Sequence, residues 1–382
     1  FCIIRNYLGR EPLFGDGKFQ ATFRVTKKQF ERIYNDIMAS GNLFFFSDNF
    51  GKQSSTYARL LLPLKCLAYG ISPSGFKDYF QMSYSMANDC QKAFDNAICK
   101  LYTHEYLRKP SPDDLAAIDQ LHFSRHHIRG MYGSLDCMHA FWKQCPKAWQ
   151  QSYKGKEDKP SIVLEAVCDY NLWFWHIFFG EGGSFNDLNV LDASNLLQMF
   201  LDGTMETLEE QSGVIPFKIG DENFRKLFLL VDGIYPCYSC FVKGIKDPMG
   251  ENESRFNSWQ EGARKDIERA FGVLQARFQW TARPILMYEM ENITRRMKTC
   301  LILHNMGVSD RIMDNDVYAT YDPSFGLSIP TERPNREPAD LVQIPETINF
   351  YHDPNLAKTR WEHLTDKEGH YRLKEALKQH FK

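Results

Sequence analysis

A chain of 382 residues, 43% hydrophobic and 25% charged, has the size for two or three domains and the composition of a globular protein. Its formal net charge of -2 excludes a general basic field, so contact with nucleic acid needs a local basic face, a partner, or metal ions over an acidic site. Ten scattered cysteines lack the spacing of a secreted disulfide framework, and no apolar run reaches the roughly eighteen residues of a membrane span.

Cys237 and Cys240 form the one CxxC, without a second pair or nearby histidines, which argues against a zinc knuckle and for reduced thiols inside the cell. The chain opens on Phe1, which leaves a preceding targeting segment open.

In chain order, residues 23–38 have helical spacing (Phe30, Ile33, Ile37, Met38) with Thr26 as the cap, and residues 39–56 read as a loop. Residues 59–69 form an apolar helix. Residues 72–74 open another over 75–80, and residues 83–85 cap a longer one to about Tyr102. The two short helices, 59–69 and 75–80, joined by a turn have the look of a helix-turn-helix, although the second carries few basic residues. Residues 106–114 are a proline-bearing linker whose Asp113 and Asp114 cap a helix over 115–123.

From Gly130 the pattern turns strand-like. Residues 131–138, 161–169 and 172–180 predict an antiparallel meander. A glycine-rich loop over 181–187 leads to an amphipathic helix at 188–201, capped by Asn186 or Asp187. Residues 217–220 predict a short edge strand, and 227–231 and 237–242 two further strands. Residues 256–279 predict a helix with Ile267, Ala270, Phe271, Leu274 and Phe278 on one stripe, and 293–306 another. A mixed α/β sheet covered by helices satisfies this order. Residues 309–349 read as an extended acidic segment, and 361–381 as a tail helix docking back.

Phosphodiester cleavage requires an activated water and a stabilised leaving oxygen, which two Mg²⁺ ions roughly 3.5–4 Å apart supply. Mg²⁺ takes hard oxygen ligands and keeps several waters. Asp136 and Asp232, each at the end of an apolar strand, and Glu268 at the edge of a helix stripe fit such a site, with Asp187 as a fourth acid. Each has an ordinary reading too: strand end, turn, helix cap, and for Glu268 a pair with Arg264 one turn back. Their joint pattern is what favours chemistry.

His139 lies three residues after Asp136 and is a candidate for phosphate or water contact, or an ordinary surface histidine. Lys143, Lys147, Lys154, Lys156 and Lys159 alternate with Trp142, Trp149 and Tyr153, a pattern suited to phosphates and exposed bases or to a solvated hairpin. Arg255, Arg264 and Arg269 flank the glutamate.

The motifs GSLDCMH, WKQCPKAW, GSFNDLNVL, LLVDGIYP, RKDIERAFGVLQARF and LILHN run in order over residues 130–305 and resemble the PIF/Harbinger transposases and their domesticated relatives. The tail over 361–381 resembles that family's C-terminal segment. The resemblance implies an RNase H-like catalytic fold with DDE chemistry on Asp136, Asp232 and Glu268, Asp187 being an additional acid. It implies divalent metal (Mg²⁺ or Mn²⁺) as cofactor and DNA as substrate, at transposon terminal inverted repeats and at a target.

It also implies a helical, helix-turn-helix-like N-terminal part. A Myb/SANT-like partner is expected to aid DNA binding and nuclear entry, with cytoplasmic residence without it. The expected assembly is a homo-oligomer, with no membrane association. The expected organisation is residues 1–125 as the helical part, 126–308 as the catalytic domain and 309–382 as an extended segment with a C-terminal helix. A catalytically silent DNA- or chromatin-binding factor on the same fold, and a general phosphohydrolase, are the competing expectations.

Overall fold

The computed structural model describes residues 4–46, 54–155, 158–313 and 354–381. Its centre is strand β1, Met131–Phe141, whose first five residues are all buried. Two glycines permit its start. Gly130 takes φ +84 and a Cβ there would stand 2.1 Å from the Phe217 ring; at Gly133 a Cβ would stand 2.4 Å from the Cys168 carbonyl oxygen. Strands β2 (Ser161–Cys168) and β3 (Phe174–Gly182) complete an antiparallel meander, as the alternation predicts. Every residue of β2 is buried, as expected of an interior strand covered on both faces.

On the other side of β1 lie β6 (Phe228–Val231) and then β7 (Phe241–Lys243), both parallel to it. The mixed sheet has the order β3-β2-β1-β6-β7. Strands β4 (Phe217–Ile219) and β5 (Glu222–Phe224) form a separate ribbon, so residues 217–220 are not an edge of the main sheet. The strand expected at 237–242 shrinks to β7 because the stretch before it serves the C-terminal tail instead: Ser239 donates from its backbone to the Leu364 carbonyl and from its hydroxyl to the His363 carbonyl, each at 2.8 Å.

The helices before the sheet are α1 (Asp16–Phe23), α2 (Lys27–Ala39), α3 (Leu43–Phe46), α4 (Thr56–Tyr69), α5 (Lys77–Phe80), α6 (Tyr84–Tyr106) and α7 (Pro112–His126). Their starts follow local chemistry: Thr26 with Gln29 and Ser111 with Asp114 form capping boxes, and Ser55 and Ser83 cap α4 and α6. Helix α3 interrupts the loop expected over 39–56.

After β3 come α8 (Asp187–Ala193), α9 (Leu196–Leu201) and α10 (Thr204–Ser212). The single helix expected over 188–201 breaks at Ser194, whose backbone is extended and whose hydroxyl accepts from Leu196 N–H at 3.2 Å, local bonding that competes with the helix ladder. Helices α11 (Glu251–Arg277) and α12 (Met290–Met313) follow, and α13 (Pro354–Leu364) and α14 (Lys367–His380) close the chain. Residues 314–353, most of the expected acidic segment, lie outside the described residues.

Two cores cover the sheet. One joins α1, α2, α4, α6 and α12 with Met138, Ala140, Ile162, Leu164 and Ala166. A buried ion pair, Arg296 Nε to Asp95 Oδ2 at 3.0 Å, sits where α12 packs on α6. The other joins α7, β6, β7 and α14 with Leu135 and Val167. The tail docks on β7, where the His370 ring bonds the carbonyls of Tyr238 and Phe241 at 3.1 and 2.9 Å. Among the described residues no helix is long and apolar enough to cross a membrane, and no cysteine is in a disulfide.

Candidate active site

The register of β1 against β6 pairs Ser134 with Leu230. Two residues further along each strand's direction come Asp136, still on β1, and Asp232, the first residue past β6. Asp136 is half-buried and its Oδ1 accepts from Cys137 N–H at 2.8 Å. Asp232 is exposed just past β6 and accepts from Gly233 N–H at 2.6 Å. The loop after Asp232 is pinned from beneath. Tyr235 is fully buried, with its hydroxyl 3.7 Å from the Cys137 thiol and its carbonyl accepting from Lys243 Nζ at 2.6 Å.

Helix α11 crosses this end of the sheet. The buried Gln260 donates to the carbonyls of Val231 and Val242 at 3.0 and 3.2 Å, clipping the helix to the ends of β6 and β7. The Ser134 hydroxyl donates to the Ala263 carbonyl at 3.2 Å, seating the next turn on β1. One and two turns beyond Gln260 come Arg264 and Glu268 on the same face. Arg264 Nη1 lies 3.3 Å from Asp136 Oδ2 and its Nη2 lies 3.1 Å from Glu268 Oε1. The local pair open as an ordinary reading of Glu268 is therefore present, and the same guanidinium extends it to the strand aspartate.

Asp187 is the first residue of α8, half-buried, and the helix cap is Asn186, whose side chain accepts from Asn189 N–H at 2.9 Å. Burial pushes the Asp136 carboxyl above its ordinary value. The Cys137 N–H and Arg264 pull it down, and the charges of Asp187 and Glu268 push it up again. Burial is the largest of these effects, and the charges of Asp187, Glu268 and Arg264 all reach the same carboxyl.

Among the described residues no set of three or more His, Cys, Asp or Glu side chains is assembled to hold a metal ion. The donors are nevertheless of the kind a hard cation takes. They are carboxylates on fixed elements around a half-buried acid short of positive charge, and Mg²⁺ commonly takes only one or two protein carboxylates alongside waters and substrate phosphate. In chemical type and charge the residues fit such an ion.

Behind β1, Glu165 on β2 stands opposite Cys137 in register and meets His176 Nε2 at 3.0 Å. Both are buried, and Glu165 Oε2 has no partner among the described residues. Burial pushes the Cys137 thiol and the Tyr235 hydroxyl far up, with the charges of Glu165 and Asp187 adding to the effect on both. Sequence reasoning missed Gln260, Tyr235, Lys243 and this buried pair. The i, i+4, i+8 spacing of Gln260, Arg264 and Glu268 was the available signal. His139 is exposed, with its Nδ1 3.2 Å from the Ser161 hydroxyl.

The expected DNA-contacting residues separate into two groups. Lys143, Lys147, Trp149 and Lys154 are exposed on the excursion between β1 and β2. Trp149 stacks on Tyr153 with ring centroids 6.2 Å apart, and the excursion is anchored by the buried Trp142, which donates to the Met287 carbonyl at 2.7 Å. A Cβ on Gly182 would stand 2.3 Å from the Ser152 carbonyl, so this lysine and aromatic loop packs on the glycine-rich loop that leads to Asp187. Lys156 lies outside the described residues.

Arg264 joins the acids, but its two neighbours do not. Arg269 pairs with Asp266 at 2.7 Å and covers the Tyr170 ring at the β2–β3 turn. Arg255 pairs with Glu251 and stands thirteen residues before Glu268, about 20 Å along the helix.

Residues 104–315 match the family model described as "Plant transposon protein", a span that contains all four acids. The chain is 24% identical over 314 residues to "Protein ALP1-like" of Arabidopsis thaliana, covering 78% of this chain and 72% of that one. It is 26% identical over 236 residues to "Putative nuclease HARBI1" of Homo sapiens, covering 61% and 60%. It is also 26% identical over 208 residues to the protein of the same description from Mus musculus, covering 53% and 54%. The chain thus spans between half and two thirds of these nuclease relatives. No solved structure matches it significantly. The match over more than half of its length, together with the ordered motifs, shows that the chain belongs to the plant transposon protein family, which is Harbinger transposase-derived.

Proposed function

We propose that the chain is a divalent-metal-dependent DNA endonuclease of the DDE transposase kind, cutting and joining DNA at the terminal inverted repeats of its element. The observation that carries this reading is the meeting of Asp136 with Glu268 of α11 through one guanidinium, on the strand that runs parallel to the one Asp232 follows. An RNase H-like catalytic unit is supported by the sheet order, in which an antiparallel meander is followed by two strands parallel to the first.

Asp136, Asp232 and Glu268, with Asp187 beside them, are the residues to hold Mg²⁺ or Mn²⁺. Such ions, when bound, supply Lewis-acid polarisation of the phosphate and a water activated near neutral pH. The water oxygen attacks phosphorus at the element's end and the 3′-oxygen departs. The freed 3′-hydroxyl then attacks a target phosphorus, releasing the target's own 3′-oxygen. Lys143, Lys147 and Lys154 neutralise flanking phosphates, and Trp149 offers a face for an unpaired base.

With a net charge of -2, binding and nuclear residence fall to a Myb/SANT-like partner, the chain staying cytoplasmic without it, and the active form is a homo-oligomer. In this reading the helices before residue 126, with α4 and α5 as a helix-turn-helix-like pair, engage the element's ends. Residues 126–308 perform the chemistry, and the remainder is a tail.

The test is nicking of a terminal-repeat duplex in Mg²⁺ or Mn²⁺. Asp136→Asn, Asp232→Asn and Glu268→Gln are each expected to lower the rate by about 10²-fold or more, the scale of one lost catalytic electrostatic contact. Unchanged nicking by Asp232→Asn refutes the site. Equal cleavage of small phosphodiesters would make the chain a general phosphohydrolase.

A second reading, a silent DNA- or chromatin-binding factor, is favoured by two observations: Arg264 already pairs with Asp136 and Glu268, and no three acids are assembled among the described residues. Calorimetric titration with Mn²⁺ separates the two, since a silent site shows no binding that Asp136→Asn abolishes.

A further inference from the structure

Arg264 differs from Arg108 and Arg269. Arg108 grips a single carboxylate, Asp114, with two nitrogens, one of them 2.9 Å from Oδ1. Arg269 commits to Asp266 at 2.7 Å and to the face of Tyr170. Arg264 instead divides its two terminal nitrogens between acids on different elements. Its contacts of 3.3 and 3.1 Å lie outside the 2.7–2.9 Å usual for a charged hydrogen bond.

The guanidinium side chain is only 18% exposed, so it fills the gap between Asp136 and Glu268. That gap is where a divalent ion held by the same two carboxylates would sit. A guanidinium does not lose its proton, so it cannot leave by neutralising itself; it has to move. Its long stem, on a helix fixed by Gln260 one turn back, lets the head swing while the backbone stays.

Resting on the nuclease reading above, we propose that Arg264 is a displaceable counter-ion. In the metal-free protein it holds Asp136 and Glu268 together. A divalent cation takes its place between them, and the freed guanidinium turns to the phosphate of the DNA that arrives with the metal. The arginine is thus a positioning residue that competes with metal for the two carboxylates and weakens its binding until substrate offers the guanidinium another anion.

The experiment titrates Mn²⁺ into the full chain and into Arg264→Gln and Arg264→Lys, by calorimetry and by thermal melting, without DNA. Arg264→Gln is expected to bind Mn²⁺ about tenfold more tightly than wild type, the scale of one charged hydrogen bond no longer competing. It is also expected to melt lower than wild type without metal and to gain more in melting temperature when Mn²⁺ is added. Arg264→Lys, which keeps the charge and loses the two-pronged reach, is expected to gain less, and it serves alone if the glutamine variant does not fold. Wild-type binding with no gain in either variant overturns the counter-ion and leaves the nuclease reading standing. Absence of Mn²⁺ binding in all three proteins overturns both.

Discussion

Glu209 offers a test of the fold that leaves the acidic site untouched. It lies on α10, 2% exposed, and its Oε1 accepts from Leu227 N–H at 2.8 Å, the residue just before β6. Burial pushes its carboxyl from 4.5 up to about 8. The Leu227 N–H and Lys226 pull it down, and Glu206 and Glu210 push it further up. Between pH 4.5 and 8 the unfolded chain has released this proton while the folded chain keeps it. Stability contributed here therefore falls as pH rises across that window and is level above it.

At about 1.4 kcal/mol per pKa unit the full displacement is on the order of 5 kcal/mol, comparable to the whole stability of many domains. Glu209→Gln keeps the carbonyl that accepts from Leu227 and removes the ionisation. The variant should match wild type at pH 4.5 and exceed it by several kcal/mol at pH 9, measured by urea unfolding at intervals between. Parallel wild-type and variant curves from pH 5 to 9 would refute the claim that Glu209 is buried as a neutral acid.

Two further outcomes follow from the packing. Arg296→Met should cost about 3–5 kcal/mol in urea unfolding, because it strands the buried carboxylate of Asp95, and adding Asp95→Asn should recover most of the loss. Trp149→Ala should weaken binding of single-stranded terminal-repeat DNA by about 1–3 kcal/mol in a fluorescence anisotropy titration, the worth of one stacked base, with the melting temperature unchanged.

Local chemistry made much of the fold legible. Thr26 and Ser83 announced helix starts because a side-chain oxygen placed before a helix satisfies orphan backbone donors, whatever the helix later packs against; α7 instead starts at Pro112 behind Ser111, with Asp113 and Asp114 inside its first turn rather than before it. The meander was legible because its strands alternate or stay apolar within one span and are joined nearby. The misread pieces depend on partners far away in the chain. Residues 217–220 look like an edge strand, and only assembly shows that they pair with their own neighbour β5. Residues 237–240 are apolar enough for a strand, yet their backbone serves the tail, more than a hundred residues later.

The candidate site divides in the same way. From the sequence alone came the identity of the acids, the family and the expectation of hard-ligand chemistry, because residue type and order along the chain are one-dimensional facts. Tertiary structure alone decided that β6, which leads into Asp232, runs parallel beside the strand of Asp136, that Gln260 clips α11 to the ends of β6 and β7, and that Arg269 faces away while Arg264 faces in. These depend on strand register and helix rotation, where a shift of one residue turns a side chain to the opposite face.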